Sequence, residues 1–413
     1  MKVAIINLGC KVNQCECDSI AQRFASMGYE VAEEFCPADL YVINTCAVTQ
    51  EAEKKSRQCV ARVRKYNPQA KVYVIGCASQ KNPHQFEGKD VTFVGGNADK
   101  MGVCDLPTGV NVAPLPTIFE KMDLGPGHHA REVVKIEDGC NNFCTYCIVP
   151  YLRGRVRSRD LQDVKEECII RSATCREIVL TGINTSAWGQ DLGLTLADLV
   201  LALKDVPVRF RFGSLEAGVI DDKFLSALKD AGNFCDHFHL SLQSGDDEVL
   251  KSMNRHYTSL EFADKVRLIR RYFPLCAITT DIIVGFATET EESFERCLKF
   301  ARNVGFANIH VFPYSRRQGT KAYPMPALDP AIVADRVKRM TQLKNELFEE
   351  YRMSFVGHTM EAVIETEGDY YAVGHTANYL KVYLPLSANV KVGEIYTVKA
   401  TEQYKDGLLA VRQ

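Results

Sequence analysis

Three apolar runs of strand length each close on a cysteine: VAIINLGC at Cys10, LYVINTC at Cys46 and VYVIGC at Cys77. The stretches between them, near Gln14 to Met27 and Gln50 to Tyr66, read as helices, and their lengths suit βαβ crossovers. Parallel strands joined in this way carry their carboxyl ends to one edge of a sheet, the edge where such folds bind ligands. Three thiols far apart in sequence therefore converge, which predicts a metal or cluster site.

The chain has 413 residues, more than one ordinary core holds, and sixteen cysteines. A disulfide framework belongs to short secreted chains, and the start MKVAIINLGCKVNQCEC lacks the small-residue cleavage site of a signal peptide. No apolar segment is long enough to cross a bilayer, so a cytoplasmic protein with reduced thiols and no membrane partner is expected. A formal charge of −2 argues against indiscriminate coating of nucleic acid.

A second cysteine set, Cys140, Cys144 and Cys147 in GCNNFCTYCIVPY, has three members and no fourth nearby. A structural zinc site closes with four ligands. His128 and His129 are near in sequence, yet they precede the next strand and should lie on the opposite side of the domain. Gly139, Asn141, Asn142 and Pro150 favour a loop over a packed helix face. A cubane iron–sulfur cluster held by three thiolates leaves one iron open to a substrate or cofactor.

After a Pro- and Gly-rich linker, Cys104 to His129, a longer βα series follows. Its strand candidates are EVVKI, EIVLTG, VRFRFGS, FHLSLQS, AITTDIIVGF and ANIHVFPYS. Six such units predict a parallel barrel, closed or partly open, with its site at the carboxyl ends of the strands. A long helix from Pro330 to Tyr351 leads to short alternating segments that fit a small antiparallel β-barrel, either an RNA binder or a protein-contact module. Basic runs at Lys54–Lys65, Lys265–Arg271 and Arg336–Lys344 read as solvated helix faces. RGRVRSR alternates like an extended segment, which predicts RNA or phosphate contact by Arg153, Arg155, Arg157 and Arg159.

CNNFCTYC resembles the signature of radical S-adenosylmethionine enzymes, with the aromatic Tyr146 before the last cysteine. The resemblance extends over nearly the whole chain and narrows to the methylthiotransferases, through NLGCKVNQ, INTCAVT, VIGCASQ, DGCNNFCTYCIVPYLRGRVRSR, HLSLQSGDDEVLKSMNR, TDIIVGF and VGHTANYLKVYLP. It implies an α/β protein of three parts: an amino-terminal parallel βα domain over 1–115, a central partial (β/α) barrel over 126–345, and a carboxyl-terminal TRAM β-barrel over 351–413. GCKVNQ is similar to the motif of enzymes that methylthiolate C2 of N6-threonylcarbamoyladenosine at position 37 of tRNA, beside the anticodon. Siblings acting on isopentenyladenosine read closer to Gly-Cys-Gln-Met-Asn, and those acting on a ribosomal-protein aspartate closer to Gly-Cys-Pro-Lys-Asn.

The resemblance implies two [4Fe–4S] clusters, one on Cys140, Cys144 and Cys147 and a second, sulfur-carrying one on Cys10, Cys46 and Cys77. It implies two molecules of S-adenosylmethionine per turnover, an electron donor such as flavodoxin or ferredoxin, a sulfur source, and tRNA held by its anticodon arm. Tyr146 would lie near the adenine of the cofactor; Asn184, Glu216, Gln243 and Asp281 are candidates for contacts to cofactor or base; Tyr379 and Lys381 are candidates for RNA stacking and phosphate contact. The chain departs from the family where Gly-Gly-Glu becomes LTGINTSAWGQ and Ser-x-Glu-Pro becomes FGSLEAGVI. Cys15, Cys17 and the eight remaining cysteines read as packing or surface residues, with Cys15 the nearest to a ligand position. A rival of another class is a non-catalytic iron–sulfur electron carrier or RNA-binding redox sensor.

Overall fold

The computed structural model describes residues 1–88, 91–123, 125, 127 and 129–413. Strands β1 (Lys2–Asn7), β2 (Glu30–Ala32), β3 (Leu40–Thr45), β4 (Lys71–Gly76), β5 (Phe93–Gly95) and β6 (Gly109–Asn111) form one sheet in the order β2-β1-β3-β4-β5-β6. Every pairing in it is parallel. The long strands are apolar throughout because helices cover both faces, and β3 is buried along its whole length. Val3, Ile5, Ile20 and Phe24 pack on one side, and Ala4, Ile6, Tyr41 and Val63 on the other. The three short strands carry too little apolar pattern to be read from sequence. Helices α1 (Lys11–Ser26), α2 (Gln50–Val63) and α3 (Cys77–Lys81) follow β1, β3 and β4. Helix α1 starts directly after Cys10, a turn earlier than its sequence pattern indicates.

The central part contains β7 (Arg131–Lys135), a short hairpin-like pair β8 (Glu137–Asp138) and β9 (Arg157–Ser158), then β10 (Glu177–Thr181), β11 (Arg209–Phe212), β12 (His237–Gln243), β13 (Ala277–Val284) and β14 (Asn308–Pro313). These form two parallel sheets, β11-β10-β7 and β12-β13-β14. Among the described residues only the isolated bridges Phe210–Phe234 and Leu215–Leu240 link them, so the barrel is partly open. One continuous core, from Val134 through Phe210 and Phe262 to Leu347, packs the outer helices against the strands.

Helix α4 (Val149–Arg153) follows the second cysteine set, and a long helix (Pro330–Met353) leads to the tail. There, β15 (Thr359–Glu367), β16 (Tyr371–Thr376), β17 (Lys381–Pro385), β18 (Ile395–Tyr404) and β19 (Gly407–Arg412) close into a barrel, which removes the exposed strand edges of an open sheet. Among the described residues no helix is long and apolar enough to cross a membrane.

Candidate active site and cysteine clusters

Cys10, Cys46 and Cys77 stand just past the carboxyl ends of β1, β3 and β4, which are neighbours in the sheet. Gly76 sets the last of these turns at φ +104°, where an added Cβ would meet Asn44 Oδ1 at 2.5 Å and backbone Thr45 at 2.6 Å. Burial pushes the Cys46 thiol up to about 11, and Cys77 and Cys10 add to the rise. Cys77 Sγ accepts from Arg153 Nε at 3.4 Å and Asn97 Nδ2 at 3.5 Å.

Cys140, Cys144 and Cys147 lie on an irregular loop after β8. The loop needs Gly139, whose φ is +89° and whose added Cβ would lie 1.9 Å from the Arg155 carbonyl oxygen. It is pinned by backbone bonds from Cys140 to Gly154, Thr145 to Met253 and Ala322 to Thr145. Cys140 Sγ accepts from the Asn142 N–H at 3.5 Å and Asn184 Nδ2 at 3.8 Å, and Cys144 Sγ from Arg255 Nη1 at 3.4 Å. Burial pushes Cys140 up to about 11 and Cys147 up to about 12. Such thiols ionise only when a metal displaces their protons.

The chemistry of the donors selects the group they fit. Each triad offers three soft cysteine sulfurs, which suits a [4Fe–4S] cluster with one thiolate on each of three irons and the fourth iron short of a protein ligand. His128 lies outside the described residues, and His129 faces Glu33 at 3.8 Å.

Between the triads runs a buried ionic network that the sequence pattern does not reveal. Glu16 Oε1 accepts from Arg153 Nη1 at 2.5 Å and Lys135 Nζ at 3.0 Å, and Glu16 Oε2 accepts from Lys100. Arg153 also reaches Asn13 Oδ1 at 2.7 Å and Asp138 Oδ2 at 3.2 Å. Burial by itself would push the Glu16 carboxyl up, but Arg153, Lys100 and Lys135 hold it well below the usual carboxylate range. Burial likewise opposes ionisation of Asp138, yet Lys135 and Arg153 bring it down to about 2. Arg153 is 1% exposed and joins the Cys77 sulfur to the segment that begins the second triad.

This placement corrects the reading of RGRVRSR. Arg153, Arg157 and Arg159 are buried, because the segment is the end of α4 followed by β9 rather than one extended strand. Arg157 donates to the Arg153 and Arg155 carbonyl oxygens at 2.8 Å, and Arg159 pairs with Glu167. Arg155 alone of the four is exposed, with its guanidinium 4.4 Å from the Phe143 ring centroid.

Tyr146 packs beside Val249, Met253, Phe286 and Ala322. Asn184 reaches Cys140 and donates its backbone N–H to buried Glu137 at 2.7 Å. Glu216 pairs with Arg255 and accepts from Asn142 Nδ2 at 3.4 Å, so both its partners belong to the second triad's surroundings. Gln243 ends β12 at φ +72°, where the register against β13 shifts. Asp281 lies 3.3 Å from His239 Nε2 and forms with His310 a close polar group. Tyr379 is exposed in part and lines the cavity inside the partial barrel. Its turn, at φ +63°, tucks the ring against His237 and His375 at centroid distances of 4.7 and 4.9 Å. Lys381 stays near the surface, 2.6 Å from Asp406. Cys15 donates to the Val133 carbonyl at 3.4 Å, and Cys17 packs with Ile20 and Phe24, which accounts for both as structural residues.

A cavity of about 730 Å³ opens inside the partial barrel. Gly9, Cys10 and Lys11 line it from the amino-terminal domain, Thr181, Ser214, Asp281 and His310 from the strands, and Tyr379 from the tail. Lys11, His239 and His310 join the candidate residues through this cavity, and Arg255 through its bonds to Cys144 and Glu216. The sequence pattern does not single them out, because the groups they face lie far along the chain.

The Radical SAM superfamily profile matches residues 134–301, and that of "Uncharacterized protein family UPF0004" matches residues 2–95. The chain is 36% identical over 431 residues to the threonylcarbamoyladenosine tRNA methylthiotransferase MtaB of Bacillus subtilis, covering 98% of this chain and 95% of that protein. It is 33% identical to the enzyme of the same name from Thermotoga maritima, covering 99% and 96%. Among solved structures, the radical S-adenosylmethionine methyltransferase TsrM of Kitasatospora setae, with tryptophan and a cofactor analogue bound, superposes with a TM-score of 0.57 at 17% identity, covering 78% of this chain and 75% of that one.

Proposed function

The chain belongs to the radical S-adenosylmethionine methylthiotransferases, and from that premise we propose that it attaches a methylthio group to C2 of N6-threonylcarbamoyladenosine in tRNA. The observation that carries the substrate is the cavity wall. Lys11, Arg131 and Arg211 bring three cationic side chains to a wall that also carries His239, His310 and Asp281, which suits the acidic N6 arm of threonylcarbamoyladenosine.

The C2–H bond of adenine is beyond side-chain acid–base chemistry, and a bound cluster with S-adenosylmethionine supplies the radical that such a bond requires. Cys140, Cys144 and Cys147 would hold that cluster, and Cys10, Cys46 and Cys77 would hold the sulfur-carrying one. The chain's own residues then orient and screen. Arg255, anchored by Glu216 and bonded to Cys144, places a fixed positive charge beside the sulfur ligands. Asn184 donates to Cys140, and Arg153 with Asn97 donates to Cys77, so each triad receives hydrogen bonds that stabilise thiolate. The cavity runs from Gly9, Cys10 and Lys11 to Thr181, Gly182 and Ser214 beside the carboxyl ends of β10 and β11, so a base held in it can face the set that includes Cys10.

An adenosine beside the anticodon lies in a loop, where it can be splayed into such a cavity. The tail barrel would grip the anticodon arm, with Lys381 and exposed Arg155 as phosphate contacts. Ending the chain at Ser354 is expected to weaken tRNA binding roughly tenfold or more while the iron content stays unchanged; unaltered affinity would remove that role from the barrel. The division of the chain into units over 1–115, 126–345 and 351–413, an electron donor such as flavodoxin or ferredoxin, a sulfur source and a cytoplasmic location complete the reading. Mass spectrometry of tRNA nucleosides from cells with and without the gene tests it: the 2-methylthio derivative of threonylcarbamoyladenosine should vanish with the gene. Loss of the isopentenyl derivative instead would assign the sibling activity.

A further inference from the structure

We propose that Lys11 determines specificity by pairing its ammonium with the carboxylate of the substrate's threonylcarbamoyl arm, an inference that rests on the function proposed above. A carboxylate entering a partly desolvated cavity needs a cation to receive it. The wall offers Lys11, Arg131 and Arg211. Two of the three are already committed. Arg211 donates to Glu177 at 2.9 Å and to the Thr376 and Ala377 carbonyl oxygens, and Arg131 lies 3.2 Å from Glu365 and 3.7 Å from Glu177. Lys11 has no hydrogen-bond or ion-pair partner among the described residues and is exposed at the cavity. Its field reaches the interior. Burial first, and then charges that include Lys11, push His237 and His310 down.

The chemistry of the arm agrees with that position. A carbamoyl urea on N6 can donate its distal N–H to adenine N1, which folds the amino-acid part along the edge that carries C2. C2 must approach the triad that includes Cys10, so the carboxylate arrives beside the next residue, Lys11. Asp281, the single carboxylate of the wall, would repel it from the side of His239 and His310.

The test uses the full-length, cluster-loaded protein and two anticodon-arm hairpins, one bearing threonylcarbamoyladenosine and one its primary carboxamide. The wild-type protein should favour the acid by roughly 10- to 100-fold in kcat/KM. Lys11→Met should treat the two alike, and Lys11→Arg should regain part of the preference. The same split is read in hairpin binding, which needs no turnover and so holds even if the substitution lowers cluster content. Equal use of acid and amide by the wild type, or a preference kept in Lys11→Met, overturns the role of Lys11 and leaves the enzyme's function standing. A wild-type protein that methylthiolates neither hairpin overturns the function itself.

Discussion

Replacing Cys140, Cys144 or Cys147 by alanine is expected to abolish 5′-deoxyadenosine formation and tRNA methylthiolation together, with loss of about four irons per chain. The expectation follows from the loop. Its three thiols are the only sulfur donors it presents, and burial pushes those of Cys140 and Cys147 up, so that without a metal these two stay protonated. Removing one leaves two ligands for three irons, and no nearby cysteine can substitute. Cys168 and Cys175 sit in the hydrophobic core behind the strands. Alanine at Cys10, Cys46 or Cys77 should give a different pattern: methylthiolation stops, while the first cluster still yields 5′-deoxyadenosine. Iron analysis and chromatography of reaction products distinguish the two. Retention of all iron in Cys140→Ala would refute the ligand assignment.

Glu16→Ala is expected to destabilise the protein by about 3–5 kcal/mol, because it leaves Arg153, Lys100 and Lys135 buried without their shared counter-charge. The loss should be felt at both ends of the network. Arg153 would be freed from the Cys77 sulfur, and Lys135 and Asp138 would shift beneath the second triad. Thermal unfolding of the variant should begin well below that of the wild type, and Glu16→Gln, which keeps shape and hydrogen-bonding capacity, should fall between them. The same network sets a pH dependence. Glu16 and Asp138 have carboxyls depressed in the folded state, so their stabilisation is fully present above the unfolded range near 4 and is lost as pH falls through their lowered folded values, about 2 for Asp138. Acid titration of stability should therefore show a flatter profile in Glu16→Ala. An unchanged melting temperature in that variant would mean that the network carries no net stability.

The strand-and-cysteine rhythm made the parallel sheet and the set Cys10, Cys46 and Cys77 legible, because a cysteine closing an apolar run reports a sheet edge whatever surrounds it, while Cys140, Cys144 and Cys147 were legible from their own close spacing. The barrel strands were equally plain, since each is a compact apolar run bounded by turns. What escaped depends on contacts between distant segments. RGRVRSR alternates like an exposed strand, but partners at Glu16, Asp138 and Glu167 draw three of its arginines inside. Tyr379 keeps an exposed face, and what its local sequence does not show is the stacking of its ring on distant His237. Lys11 and Arg255 fall within motifs legible in the sequence, GCKVNQ and HLSLQSGDDEVLKSMNR, but their roles come only from packing that brings Lys11 to the cavity and Arg255 to the cysteine loop.

The most direct measurement is electron paramagnetic resonance of anaerobically reconstituted, reduced protein in which Cys10, Cys46 and Cys77 are all alanine, recorded with and without S-adenosylmethionine. One reduced [4Fe–4S] cluster should be seen, and its spectrum should change when the cofactor binds the iron that no cysteine holds. A cubane signal indifferent to the cofactor, or no cubane at all, would contradict the open-iron site on which the proposed reaction depends.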